Sequence, residues 1–247
     1  MDLWRKGLYA IADAGVLAQR GMELRAFALG LRAAGVQTVQ LRDKSGRPEQ
    51  VLARAAVLSQ VFAGTETLLI MNDRMDLGLL AGFGGVHLGQ SDVAPGDVRR
   101  LLDRTSVRHD GALTSDAPRT GFDPDRFLVG MSTHSDDEVR VFGAVSQGRE
   151  MVPSHFFPSN SDVDYVAVGP VFSTSTKLDA EPVVGLEGVG RARALTALPL
   201  VAIGGITRDN ARSVIDAGAD SVAVVSGLLV PGESVESVAR DFLRILR

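Results

Sequence analysis

The chain contains no cysteine, which excludes disulfides, thiol catalysis and cysteine-ligated zinc together. It has no run approaching about 18 apolar residues, so no segment reads as a membrane-spanning helix. It also lacks a basic excess. A net charge of −4 and a pI of 5.6 give no sign of the positive face that nucleic-acid binding favours. The opening segment MDLWRKGLYAIAD lacks the long apolar core of a signal peptide, so a cytoplasmic protein is expected. No internal repeat beyond strand–helix alternation and no low-complexity segment is present. What remains is 247 residues, 45% of them hydrophobic, enough to build a substantial core.

Short runs rich in Val, Ile and Leu recur along the whole length. They are Leu8–Ala12, Val36–Leu41, Leu68–Met71, Gly85–Leu88, Phe127–Met131, Tyr165–Val171, Leu200–Ile203 and Ser221–Val225. Most are continuous rather than alternating, which suits parallel strands covered by helices on one side and packed on the other. Segments of helical period lie between them, most clearly residues 23–34 and 48–63, with Pro48 at a first helical position. The last helix carries Val235, Val238, Ala239, Phe242, Ile245 and Leu246 on one stripe. Eight such strands and this length predict an α/β fold, a single (β/α)8 TIM barrel spanning residues 1–247. Polar residues 104–126 and 148–163 read as two longer inserted loops.

In such a barrel the active site forms at the carboxyl ends of the strands. The sixth run opens into GPVFSTSTK, where Thr174, Ser175, Thr176 and Lys177 offer hydroxyls, backbone N–H groups and one cation for an anion. The second run ends on Gln40, Leu41, Arg42, Asp43 and Lys44. Arg42 and Lys44 share a face in extended chain and suit pyrophosphate. The third ends on Asn72 and Asp73, the fourth on Gly89, Gln90, Ser91 and Asp92. Two carboxylates on neighbouring strand ends could bridge a hard cation to phosphate oxygens. Asp73 and Asp92 could instead cap the helices that follow them, and Asp76 reads as a first-turn acid. Ser132 after the fifth strand reads as a hydrogen-bonding group for substrate. A Ser132–His134 nucleophile pair is disfavoured, because no acid is in place to orient the histidine. His87 reads as a core or polar-layer residue. Gly204 and Gly205 after the seventh strand, and Ser226 and Gly227 after the eighth, let backbone approach a phosphate.

Together, QLRDK at 40–44, NDR at 72–74, GVHLGQSD at 85–92, GMSTH at 130–134, GPVFSTSTK at 169–177, AIGGI at 202–206 and VAVVSG at 222–227 resemble thiamine phosphate synthase. The resemblance runs from about residue 8 to 230 and keeps the motif order. The two longer loops depart from the family pattern. The resemblance implies a Mg²⁺-dependent transferase. It would join an aminopyrimidine bearing a methyl pyrophosphate to a thiazole bearing an ethyl phosphate, through a pyrimidine-methyl cation. It further implies that Gln40, Arg42, Lys44, Asn72 and Lys177 hold the pyrimidine pyrophosphate and that Asp73 and Asp92 bind Mg²⁺. Ser132 would contact the pyrimidine. Thr174 and Thr176, with backbone at Gly205, Val225 and Ser226, would hold the thiazole phosphate. Lys177, Arg42, Lys44 and Ser132 would act in catalysis. The implied partners are small molecules, with neither nucleic acid nor membrane, and the family tendency is a homodimer. The alternative is a thiazole tautomerase of the related barrel family, which needs a proton-moving histidine but no pyrophosphate–metal site. A silent sensor of thiamine precursors and a generic phosphate-binding barrel isomerase are weaker, since neither calls for the paired aspartates.

Overall fold

Alternation within apolar runs decides how this chain closes on itself. In β1 (Gly7–Asp13), Leu8, Ala10 and Ala12 join a large outer core, while Tyr9 and Ile11 join a smaller inner one. The same parity repeats in β2 (Thr38–Arg42), β3 (Leu68–Asn72), β4 (Gly85–Leu88), β5 (Leu128–Thr133), β6 (Tyr165–Val168), β7 (Leu200–Ile203) and β8 (Ser221–Val224). A strand apolar on both faces needs cover on both. In the computed structural model, which describes residues 4–107, 126–143, 162–174 and 182–247, that cover comes from barrel closure inside and helices outside. The eight strands are all parallel and pair in sequence order, and β8 returns to β1 through Gly7↔Ser221.

The helices among the described residues are α1 (Ala14–Gln19), α2 (Leu24–Ala34), α3 (Pro48–Phe62), α4 (Met75–Leu80), α5 (Pro95–Val107), α6 (Asp136–Gly143), α7 (Gly185–Leu195), α8 (Ala211–Asp216) and α9 (Val235–Ile245). The stripe expected on the last helix is buried at Val235, Val238, Ala239 and Phe242. None of these helices is long and apolar enough to cross a membrane.

Several boundaries differ from the sequence expectation by one to four residues, and three of them show how. The run beginning at Val36 pairs only from Thr38. Gly35 ends α2 in the left-handed region, and the Val36 amide turns back to Leu31 O at 3.1 Å. The sixth run stops at Val168, because Pro170 has no amide hydrogen and the Val171 amide donates to Ile203 O at 2.8 Å. Residues 104–107, expected in a loop, extend α5. The remainder of both expected insertions, apart from residues 126 and 162–163, lies outside the described residues.

The inner face is graded along the barrel axis. At the amino end Trp4, Leu68, Leu128 and Val201 fill it, and the Trp4 indole donates to Ser221 Oγ at 3.2 Å. Toward the carboxyl ends the same inward parity falls on Asp13, Gln40, Arg42, Asn72, His87 and Ser132. These line a cavity of about 1120 Å³.

Candidate active site

One side of this cavity is built from charged side chains. Arg42, the last residue of β2, pairs with the buried carboxylate of Asp13, which ends β1. Asp13 Oδ1 also accepts from the Val16 amide at 2.9 Å, so a single acid starts α1 and holds the arginine. Lys44 reaches Asp73, with Nζ 2.5 Å from Oδ2. Asp43 between them turns away. Its carboxylate accepts from the Gly46 amide at 2.8 Å and from Arg54 at 2.6 Å, which ties the β2 loop to α3.

Asp73 is the only non-glycine residue among those described with a positive φ, at 61°. Aspartate tolerates the left-handed region better than most residues, yet the conformation still costs energy and tends to occur where function requires it. It is pinned by the Asp73 amide donating to His87 O at 2.8 Å. Asp92 accepts from the Gly89 amide at 2.6 Å and lies within hydrogen-bonding reach of Asp73. Desolvation pushes the Asp92 carboxyl above the ordinary range. The Gly89 hydrogen bond opposes this, and Asp73 adds to the rise. The helix-capping alternatives fail here: no side chain caps α4, and Asp92 caps its own turn. Asp76 is the expected first-turn acid and pairs with Arg74.

The opposite side is built from backbone. Gly204 and Gly205 follow β7 with φ of 104° and 62°. A side chain at Gly205 would come within 2.6 Å of Ser173 O, and one at Gly204 within 2.5 Å of Pro170 Cβ. Glycine is thus required both by conformation and by the close approach of the β6 loop. That loop is laced on by the Phe172 amide, which donates to Gly204 O at 3.0 Å. Arg208, further along the β7 loop, pairs with Glu233 at 2.6 Å and Asp241 at 2.8 Å, bracing it against α9. A short 3-10 turn, Ser226–Leu228, follows β8, and Gly227 passes so close to Ile206 O that a Cβ would stand 2.7 Å from it.

The structure brings Gln40, Arg42, Lys44, Asn72, Asp73, Asp92, Ser132, Thr174, Gly205, Val225 and Ser226 to one cavity. Thr176 and Lys177 lie outside the described residues. The expectation that no acid stands by His134 is corrected. Glu138, in the first turn of α6, accepts from the His134 amide at 2.6 Å and lies 3.7 Å from its Nδ1. Even so, the Ser132 hydroxyl does not meet His134. It meets His87 Nε2 at 2.9 Å. Burial lowers the His87 pKa to about 4, leaving it neutral at pH 7, and its other nitrogen faces the Tyr165 hydroxyl rather than a carboxylate. This is not the arrangement of an activated serine.

Sequence reasoning missed Tyr9, Asp13, Arg20 and Glu138 as cavity-lining residues. Asp13 could have been found, as an acid directly ending an apolar run. Tyr9 sits inside such a run and reads as core.

The thiamine monophosphate synthase family matches residues 8–107 and 116–228, most of the chain. The chain belongs to this family. A thiamine-phosphate synthase of Koribacter versatilis is 39% identical over 241 residues, covering 97% of this chain and 95% of that protein. One from Methanoregula boonei is 37% identical over 238 residues, covering 96% and 91%. Among solved structures, thiamine phosphate pyrophosphorylase from Pyrococcus furiosus has the same fold, with a TM-score of 0.70 at 24% identity over 97% of this chain and 95% of that one. These synthase relatives do not favour the tautomerase alternative.

Proposed function

We propose that this chain is a transferase that condenses the aminopyrimidine methyl pyrophosphate with the thiazole ethyl phosphate, giving thiamine phosphate and pyrophosphate. The observation that carries the reading is one cavity with a charged side and a backbone side, and no activated nucleophile among the described residues. The carbon–oxygen bond breaks first, and pyrophosphate leaves with the electron pair. The pyrimidine-methyl cation is then captured by the thiazole nitrogen, forming the carbon–nitrogen bond. No strong protein base is needed. The protein supplies charge stabilisation for the leaving group and alignment of the incoming nitrogen.

In this reading Gln40, Arg42, Lys44, Asn72 and Lys177 hold the pyrimidine pyrophosphate. Thr174, Thr176 and backbone at Gly205, Val225 and Ser226 hold the thiazole phosphate. Lys177, Arg42 and Lys44 meet the charge that grows on the leaving group, and Ser132 orients the pyrimidine. Asp73 and Asp92 fit Mg²⁺: they offer two hard oxygen donors side by side, and the Asp92 carboxyl is raised first by desolvation and further by Asp73, both of which a bound cation would relieve. When bound, Mg²⁺ neutralises charge on the departing pyrophosphate. Cytoplasmic residence and a homodimer belong to the same proposal and are supported by the kinship with a biosynthetic family.

The test follows pyrophosphate release with both heterocycles and Mg²⁺. Release that requires all three is the expected result. Isomerisation of the thiazole alone, with no condensation, would overturn the reading.

A further inference from the structure

A hydrogen-bonded chain crosses the cavity floor, joining residues on five strands. Gln40 Nε2 donates to Tyr9 Oη at 2.8 Å, and Tyr9 Oη lies 3.0 Å from Tyr165 Oη. Tyr165 Oη lies 3.0 Å from His87 Nδ1, and His87 Nε2 lies 2.9 Å from Ser132 Oγ. Both ends, Gln40 and Ser132, line the cavity. We propose that Tyr9, Tyr165 and His87 are positioning residues that fix the proton order of this chain, so that Ser132 presents a hydrogen, and Gln40 a carbonyl oxygen, to the aminopyrimidine. The identity of that ligand rests on the function proposed above.

The direction follows from counting hydrogens. An amide nitrogen can only donate, so Tyr9 accepts from Gln40, and the hydrogen of the buried Tyr9 phenol then has Tyr165 as its one acceptor among the described residues. Tyr165 then spends its own on His87 Nδ1. A neutral imidazole with Nδ1 accepting carries its hydrogen on Nε2, and that hydrogen goes to Ser132 Oγ. The serine hydrogen is left for the cavity. Both phenols are buried, and burial raises their pKa values, so each keeps its single hydrogen.

The backbone is shaped to allow this chain. His87, Gly130 and Tyr165 are register neighbours on β4, β5 and β6. A side chain at Gly130 would stand 1.9 Å from Tyr165 Cζ and 2.3 Å from its Oη. The absent side chain at Gly130 is what lets the phenol lie across β5 and reach the histidine.

A fixed donor at Ser132 suits an unprotonated ring nitrogen. A fixed acceptor at Gln40 suits an exocyclic amine. The 4-oxo counterpart, with a hydrogen on its ring nitrogen and no amine, would meet like against like. A site built to hydrogen-bond discriminates strongly in such cases.

The test has two arms. Ring ¹⁵N chemical shifts of His87 in the wild-type protein are expected to show a protonated Nε2 and a bare Nδ1. A hydrogen on Nδ1 overturns the proposal. In the second arm, Tyr165→Phe is expected to lower the preference in kcat/KM for the amino- over the oxo-pyrimidine pyrophosphate by about tenfold or more, because the lock on the tautomer is gone. The KM for the thiazole phosphate should stay within about twofold, as a general loss of structure would not allow. Unchanged discrimination overturns the proposal. If wild type turns over neither pyrimidine, the transferase reading fails, and the nitrogen shifts alone decide the proton order. Those shifts need no variant, so the test survives a Tyr165→Phe chain that folds poorly.

Discussion

The two rims of the cavity solve the same problem with different materials. From β1 to β4 the rim holds Asp13, Arg42, Lys44, Asp73 and Asp92, with ion pairs joining Arg42 to Asp13 and Lys44 to Asp73. From β6 to β8 it holds glycines whose missing side chains let loops close to within hydrogen-bonding distance. Paired side-chain charges can rearrange when an anion or a cation arrives, at the expense of the pairs already made. A backbone cradle cannot rearrange, and its shape is set at folding. The contrast suits a pyrophosphate whose charge grows during reaction on one side, and a phosphate that serves only as a handle on the other.

The largest test of that contrast is on the charged rim. Asp73→Asn and Asp92→Asn should each lower kcat by about 10²–10³, the scale of losing a key electrostatic group. Asparagine tolerates a positive φ, so the Asp73 change removes charge without forcing the backbone. Near-normal turnover at limiting Mg²⁺ in either variant would take that residue out of the metal site.

Lys177→Ala sharpens the division, because this lysine sits in sequence on the glycine-rich side yet is assigned to the leaving group. The expected loss is about 10² in kcat with little change in thiazole KM. A rise confined to thiazole KM would move Lys177 to the other rim.

Gly205→Ala probes the cradle. An Ala at φ 62° facing Ser173 O at 2.6 Å should raise thiazole KM about tenfold and cost about 1–3 kcal/mol of stability. Steady-state kinetics with each substrate varied in turn would show the pyrimidine KM nearly unmoved. Equal damage to both KM values would mean that the two rims are not independent.

The smallest effect lies below both rims. Thr38 Oγ1 is buried without a partner among the described residues. Thr38→Val should stabilise the fold by about 1 kcal/mol, read as a raised urea midpoint with unchanged kinetics. A loss of stability would mean that the hydroxyl has a partner in solution.

The barrel was legible because all eight strands announce themselves as short apolar runs, displaced by only a few residues at Val36 and Val171. Those ends depend on a left-handed glycine and a proline whose effects are local. The rim residues were legible for the same reason: a charge directly after an apolar run has nowhere to go but the strand end. The floor was not legible. Tyr9 and Tyr165 sit inside apolar runs, where an aromatic ring reads as core. Their hydroxyls meet across a separation of 156 residues, which no local pattern encodes. The Glu138 carboxylate beside His134 was missed for a smaller reason, because it comes from the first turn of the next helix rather than from a strand end.

Trp4 gives this floor an outward signal. It is the only tryptophan in the chain, and its ring centroid lies 4.4 Å from that of Tyr165. Tyr165 is in turn one histidine away from Ser132 in the cavity. The protein therefore carries a built-in fluorophore in contact with the far side of its own binding site. Pyrimidine occupancy should register in indole emission without a label, while a ligand confined to the glycine rim should leave that emission nearly dark to its presence.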